Sequence, residues 1–217
     1  YGDRNAFLVK NAPGGEYIPV KFSRLKTDID ELGTSFMDLG LTGKKIAVIG
    51  ENRYEWVVTY LAVVNGVGVI VPLDRELPAE EVHHLLKRSE VSAVVYSSKV
   101  GTVVEEAIQG VESIEFVISM DALEHIDNRL SLKKLQRAGR RLLLEEKRSF
   151  LDAEIDREAM CSLLFTSGTT GMAKGVMLSH ENLTANVYNM SKYVDVSNNW
   201  TGLSVLPMHH TYELTCH

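Results

Sequence analysis

The sequence predicts an α/β fold in which a mostly parallel β-sheet carries helices on both faces. Short and almost uninterrupted apolar runs alternate along the chain with helix-patterned segments, as in sheets buried on both sides. The 217 residues are 45% hydrophobic and 24% charged, which is enough apolar material for a sizeable core. This composition excludes disordered, collagen-like and disulfide-stapled classes of protein.

The first elements are predicted to be a β-hairpin and a helix. Two β-prone runs, AFLVK at 6–10 and IPVKFS at 18–23, flank a Pro-Gly-Gly turn. Ser23 is expected to cap the following helix, and Gly40 to end it. Its apolar residues recur every three or four positions, namely Leu25, Ile29, Leu32, Phe36 and Leu39.

Four strands with intervening helices follow. The strand-like runs are KKIAVIG, VGVIVPL, SAVVYSS and IEFVISM, at 44–50, 67–73, 92–98 and 114–120. Helices are predicted between them at 53–65, 79–90 and 99–109. This alternation is what predicts the parallel sheet.

One uncharged stretch, 56–73, approaches the length of a membrane-spanning helix. Asn65, Gly66 and Gly68 interrupt it, and Pro72 lies near its end. The interruptions favour a helix, a turn and a strand over a transmembrane segment.

The segment 131–148 carries seven basic and two acidic side chains. One interpretation is a helix that binds a membrane surface or a partner. The favoured one is a solvated helix that packs against the domain through its leucines, since Gly139 weakens the helix and aromatic anchors are absent. The leucines concerned are Leu132, Leu135, Leu142 and Leu143.

The segment 161–183, CSLLFTSGTTGMAKGVMLSHENL, has the residues best suited to binding a polyphosphate. SLLF and GVMLS are strand-like, so 166–175 is predicted to be a loop between two buried strands. Its glycines would let backbone N–H groups converge on an anion, its hydroxyls would donate, and its lysine would add positive charge. The proposed phosphate-binding residues are Thr166, Ser167, Gly168, Thr169, Thr170, Gly171 and Lys174.

A Walker-type phosphate loop does not fit this segment. Counting from Gly168, the residue before the lysine is Ala173 where glycine is required, and Gly175 replaces the required Ser or Thr. A flexible surface loop is the other alternative, but it would not explain a lysine placed between two strands.

The stretch TSGTTGMAKGV at 166–176 resembles the phosphate-loop signature of the adenylate-forming (AMP-binding) superfamily, which includes acyl-CoA synthetases and luciferases. Four further segments resemble the family and occur in its order, at 22–41, 44–56, 61–86 and 203–213. The chain is similar to the N-terminal part of a long-chain fatty-acid CoA ligase. It is therefore predicted to be a partial N-terminal AMP-binding domain over 1–217, with the C-terminal domain absent.

The resemblance implies a two-step ligase that uses ATP, Mg²⁺ and coenzyme A. A carboxylate would attack the α-phosphorus of ATP, and a thiol would then accept the acyl group. Residues 166–171 would surround the phosphates, with Thr166 and Lys174 as the catalytic candidates. The family's adenine-contacting, magnesium-binding, ribose-binding and C-terminal lysine residues would all lie downstream, so these 217 residues alone are expected to be inactive.

A second matching motif is LPMHHTYE at 206–213. The resemblance implies that His210 lines the pocket near the substrate carboxylate, with His209 as the alternative. Residues 203–212 contain no Asp or Glu to pair with an amino-acid ammonium, which favours an apolar acid such as a fatty acid. An aryl or short-chain acid remains an alternative, as does a non-catalytic phosphate-binding or scaffold module.

Other candidate sites are weaker. His83 and His84 are expected to be solvated, His125 lies in an acidic loop, and Ser179 is expected to cap the helix that His180 begins. No ligand spacing predicts a transition-metal site. The net charge of −6 argues against a nucleic-acid partner. The two cysteines, Cys161 and Cys216, lie in separate segments without a CxxC spacing, which favours a reducing, cytoplasmic setting.

Overall fold

A computed structural model describes residues 2–10, 14–166, 173–194 and 200–216 of the chain. It begins with an antiparallel hairpin of β1 (Asn5–Lys10) and β2 (Tyr17–Lys21), as predicted, followed by helix α1 (Phe22–Asp38). Gly40, at a φ of 80°, follows the end of α1 and confirms the predicted stop.

The predicted cap of α1 at Ser23 is wrong. The helix begins two residues earlier than such a cap requires, with Lys21 at the N-cap and no side-chain hydrogen bond there. The backbone N–H groups of Phe22 and Ser23, in the first turn, donate instead to the carbonyls of Arg4 and Gly2. Because the chain before β1 already satisfies these donors, the helix start needs no hydroxyl cap.

The main sheet has seven strands in the order β7-β6-β5-β3-β4-β8-β9. Their bounds are β3 (Lys45–Ile49), β4 (Val69–Leu73), β5 (Ala93–Tyr96), β6 (Phe116–Ser119), β7 (Arg129–Ser131), β8 (Met160–Thr166) and β9 (Lys174–Ser179). All neighbouring pairs are parallel except β8 with β9. The mostly parallel sheet is therefore confirmed.

Helices pack on both faces of this sheet, as predicted. Their bounds are α2 (Tyr54–Ala62), α3 (Ala79–Ser89), α4 (Gly101–Ala107), α5 (Leu132–Leu144), α6 (His180–Tyr193) and α7 (Thr211–Cys216). One core cluster joins α1, α2 and α5 to one face of the sheet, and a second joins α3 and α4 to the other. Strand side chains alternate between the two clusters, so the central strands β3, β4 and β5 are apolar at every position except Lys45, the first residue of β3.

The uncharged stretch 56–73 folds as predicted. It forms most of α2, a π-helical turn at Val63–Val67 and strand β4. Within that turn, Asn65 and Gly66 have non-helical backbone angles. None of the helices within the described residues combines the length and the hydrophobicity that a membrane span requires.

The basic segment forms α5, and the structure supports the docked, solvated helix. Leu132, Leu135 and Leu142 are buried, while Leu143 is half-buried. Five of the basic side chains pair with carboxylates, as Lys134–Glu124, Arg140–Glu31, Arg141–Glu145, Lys147–Asp38 and Arg148–Asp152. Much of the basic charge is therefore neutralised within the domain, which weakens the case for a membrane-binding surface.

Strand β9 departs from the prediction of two buried strands. Its partner β8 is largely buried, but β9 lies at the sheet edge with Met177 70% exposed. The loop is also shorter than predicted, because Thr166 ends β8 while Lys174 and Gly175 begin β9. An edge strand pairs on one side only, which its apolar sequence does not reveal.

Helix α6 begins with the predicted cap. The Ser179 hydroxyl accepts from the backbone N–H of Asn182 at 3.2 Å, and the Asn182 side chain accepts from the Ser179 N–H at 3.0 Å. Together these contacts form a reciprocal capping box.

Removing the cap should loosen α6. Ser179→Ala is expected to destabilise the helix start by about 1 kcal/mol, which corresponds to roughly fivefold faster hydrogen exchange of the α6 amides. Exchange in the full-length protein measures this, with Ser191→Ala near the other end of the helix as the control. Equal exchange in the two variants would contradict the capping role.

Candidate active site

Two of the candidate phosphate-binding residues, Thr166 and Lys174, lie where β8 ends and β9 begins. Thr166 is the last residue of β8 and is paired in register with Lys174, the first residue of β9. Both are exposed. Ser167, Gly168, Thr169, Thr170 and Gly171 lie outside the described residues. The two strands thus bring the ends of the candidate loop together and place a hydroxyl opposite an ammonium group.

The charge of Lys174 is available to a ligand. Within the described ranges, no carboxylate forms an ion pair with its ammonium group. The neighbouring residue, Ala173, accepts a hydrogen bond through its carbonyl from the Arg88 guanidinium of α3. An exposed ammonium next to an anchored backbone suits an anionic ligand such as the phosphates of ATP.

The histidine motif lies near the end of β4. Asp74 directly follows β4, and its Oδ2 lies 3.6 Å from Nε2 of the half-buried His209. Burial lowers the pKa of His209, an effect that the nearby Asp74 carboxylate opposes. The neighbouring His210 is exposed. The structure therefore gives the two histidines different environments, one engaged with a carboxylate and one open.

The sheet register relates this motif to the phosphate loop. Ile70 of β4 pairs with Ser162 of the parallel strand β8. Asp74 directly follows the carboxyl end of β4, and Thr166 is the last residue of β8. Since parallel strands end at one edge, the histidine motif and the loop share the carboxyl edge, where open α/β sheets bind ligands.

Two residues at this edge were not identified from the sequence. Asp74 lies in a segment that was noted only for its family resemblance, and Asn52, just after β3, contacts the chain ahead of the histidines. The sequence signal for Asp74 is its position directly after the buried strand β4, and that for Asn52 is its position in the turn after β3. Residues 203–212 contain no Asp or Glu, but the fold brings the Asp74 carboxylate to His209 from another segment.

The other histidines have structural contacts. His83 is half-buried, with Nδ1 2.8 Å from the carbonyl oxygen of Ala107, so the expectation of a solvated side chain is wrong for it. Its neighbour His84 is exposed, and Nδ1 of His125 accepts from the Ser131 N–H at 3.0 Å. Sequence could not show that α4 packs beside His83 on α3.

Within the described residues, no group of three His, Cys, Asp or Glu side chains could hold a metal ion. The expectation of no transition-metal site stays a prediction. The donor set of Thr166 and Lys174 suits phosphate oxygens, so the Mg²⁺ implied by the resemblance would arrive with ATP.

Comparison with known proteins gives one consistent result. The family model described as "AMP-binding enzyme" matches residues 1–217. A CoA ligase of Gibberella moniliformis is 30% identical over 180 residues, covering 82% of this chain and 27% of that protein. Fatty acyl-CoA synthetase A of Dictyostelium discoideum is 26% identical, covering 95% of this chain and 32% of that protein.

The fold is also found among solved structures. A natural red-emitting luciferase from Phrixothrix hirtus superimposes with a TM-score of 0.83 at 16% identity, over 98% of this chain and 40% of that one. At this identity the likeness shows the fold alone. The chain spans 27% and 32% of the length of the two curated relatives above.

Proposed function

Because the chain belongs to the family of AMP-binding enzymes, we propose that it is the N-terminal part of the large domain of an ATP-dependent acid–CoA ligase. In the proposed reaction, a carboxylate oxygen attacks the α-phosphorus of ATP, and pyrophosphate leaves. The thiol of coenzyme A then attacks the acyl carbon of the adenylate, forming a thioester and releasing AMP. No protein nucleophile is required.

The observation that carries this proposal is the pairing of Thr166 with Lys174 across β8 and β9. It brings the two ends of the glycine- and threonine-rich loop together at the carboxyl edge of the sheet. There the Lys174 ammonium would neutralise charge on the departing pyrophosphate, and the Thr166 hydroxyl would donate to a phosphate oxygen. Bound Mg²⁺ would supply further positive charge to the phosphates.

The histidine pair would lie on the acid side of the reaction. His210 is exposed and thus open to a substrate carboxylate, whereas His209 already faces Asp74. His210 is therefore our first candidate for the pocket, and His209 remains the second. His209 contacts Asp74 just after β4, and Thr166 ends the neighbouring parallel strand β8, which supports an acid site beside the phosphate site.

A long-chain fatty acid is the proposed acid. The relative from Dictyostelium discoideum carries the name of a fatty acyl-CoA synthetase. The Asp74 carboxylate beside His209 also accepts from the backbone N–H of Glu76, so it is partly occupied. An aryl or short-chain acid is the alternative within the same reaction class.

Pyrophosphate exchange by the full-length protein tests this proposal. We expect exchange to depend on added acid and to be at least tenfold faster with palmitate than with benzoate, hexanoate or phenylalanine. The 217-residue chain alone is expected to show no exchange. Equal rates with palmitate and benzoate would contradict the fatty-acid assignment, and ATP binding without exchange for any acid would favour a non-catalytic module.

A further inference from the structure

One side chain makes three hydrogen bonds to the segment that leads into the histidine motif. Residues 204–208 form neither helix nor strand in the structure. Asn52, in the turn after β3, donates from Nδ2 to the Ser204 hydroxyl at 2.8 Å and to the Leu206 carbonyl at 2.6 Å. Its Oδ1 accepts from the Met208 N–H at 3.1 Å. Asn52 therefore uses both its donor and its acceptor on this one segment.

The three contacts fall on alternate residues. The contacts reach the Ser204 hydroxyl, the Leu206 carbonyl and the Met208 N–H, while the side chains of Val205 and Leu206 are 69% and 44% exposed. In an extended chain the backbone groups of every second residue point to the same side, and here the asparagine amide bonds two of them as a neighbouring strand would. The segment is thus tied to the turn after β3, with Met208 buried immediately before His209.

A role for Asn52 in capping helix α2 does not explain these contacts. The N-cap of α2 is Arg53, and no side chain caps that helix. The charged neighbours of Asn52 are also occupied elsewhere, since Arg53 pairs with Glu55 and Asp121. Among the residues that the structure describes, the hydrogen bonds of the Asn52 amide all go to the segment before the histidines.

From this geometry we infer that Asn52 is a positioning residue for the acid-binding histidines. This inference rests on the proposed function. Asn52 joins the central strand β3 to residues 204–208, and His209 and His210 follow directly. Without the amide, the described contacts that remain are the buried Met208 side chain, the contact of His209 with Asp74 and a local turn hydrogen bond from the His210 N–H to the Pro207 carbonyl. A shift of about 1 Å at a reacting group can reduce a rate about a hundredfold.

The placement predicts a selective defect. Asn52 contacts the histidine segment but neither Thr166 nor Lys174, which hold the phosphate side of the site. In the full-length protein, Asn52→Ala is expected to raise the KM for the carboxylate at least tenfold, while the KM for ATP changes less than twofold. Asn52→Asp, which retains an acceptor for the Met208 N–H but loses both donors, should show the same pattern.

Hydrogen exchange gives a readout that does not depend on activity. Peptides covering 203–212 should exchange at least tenfold faster in Asn52→Ala, while those from β5 and β6 stay unchanged. Val104→Ala, in the core of α4 on the other sheet face, is the stability control and should lower Tm without this local effect. If Asn52→Ala does not fold, Ser204→Ala removes one contact and should show a smaller change of the same kind.

The outcomes separate the two proposals. If the wild-type protein shows no acid-dependent pyrophosphate exchange, the proposed ligase function is overturned. The hydrogen-exchange measurement then still decides whether Asn52 holds residues 204–208 in place. The positioning role is overturned if the wild type is active while the Asn52 variants keep a normal KM for the carboxylate and normal hydrogen exchange at 203–212. Equal rises in both KM values would overturn it as well, since that pattern indicates a general loss of structure.

Discussion

Replacing Lys174 by alanine in the full-length protein is expected to slow adenylation by about 10² to 10³, the usual effect of removing one group that stabilises transition-state charge. The exposed side chain lies at the start of an edge strand and forms no ion pair among the described residues. Stability should therefore change by less than about 0.5 kcal/mol. Pyrophosphate exchange measures the first effect, and thermal unfolding the second.

Two further variants sharpen this test. Lys133→Ala removes another exposed lysine, in α5, and should leave adenylation unchanged. Lys174→Arg keeps the charge but replaces the compact ammonium with a planar group, so partial activity is expected. Adenylation that survives Lys174→Ala at the wild-type rate would remove this lysine from the proposed mechanism.

Gly139→Ala is expected to destabilise the domain by about 3 kcal/mol, because overpacking at a rigid contact is poorly relieved. A Cβ at residue 139 of α5 would lie 1.7 Å from the backbone carbonyl oxygen of Glu31 in α1. Helix propensity alone predicts the opposite sign, a gain of about 1 kcal/mol. The free energy of unfolding, from urea denaturation of the full-length protein, distinguishes the two.

The matched control is Gly101→Ala at the start of α4. There the nearest atom to a new Cβ is a Tyr96 ring carbon at 3.7 Å, an ordinary van der Waals distance. This variant should be neutral or up to about 1 kcal/mol more stable. If Gly139→Ala were as stable as Gly101→Ala, α1 and α5 could not be packed as closely as described.

The role of Gly139 could not be predicted from the local sequence. As a glycine in a helix it was expected only to weaken α5, and no local pattern shows that it lies against α1. Similarly, Ser23 has the chemistry of a cap, but the backbone at Gly2 and Arg4 satisfies the helix start. Both expectations follow local preferences that a distant part of the chain overrides.

The α/β class, the parallel strands, the hairpin, the cap at Ser179 and the phosphate-loop motif could all be predicted from the amino-acid sequence. These features depend on local periodicity or on neighbouring residues, which a sequence displays directly. The exposed edge at β9, the contact of Asp74 with His209 and the hydrogen bonds of Asn52 to residues 204–208 could be found only in the folded chain. Those contacts join residues far apart in the chain, because the folded sheet brings the ends of its parallel strands to one edge.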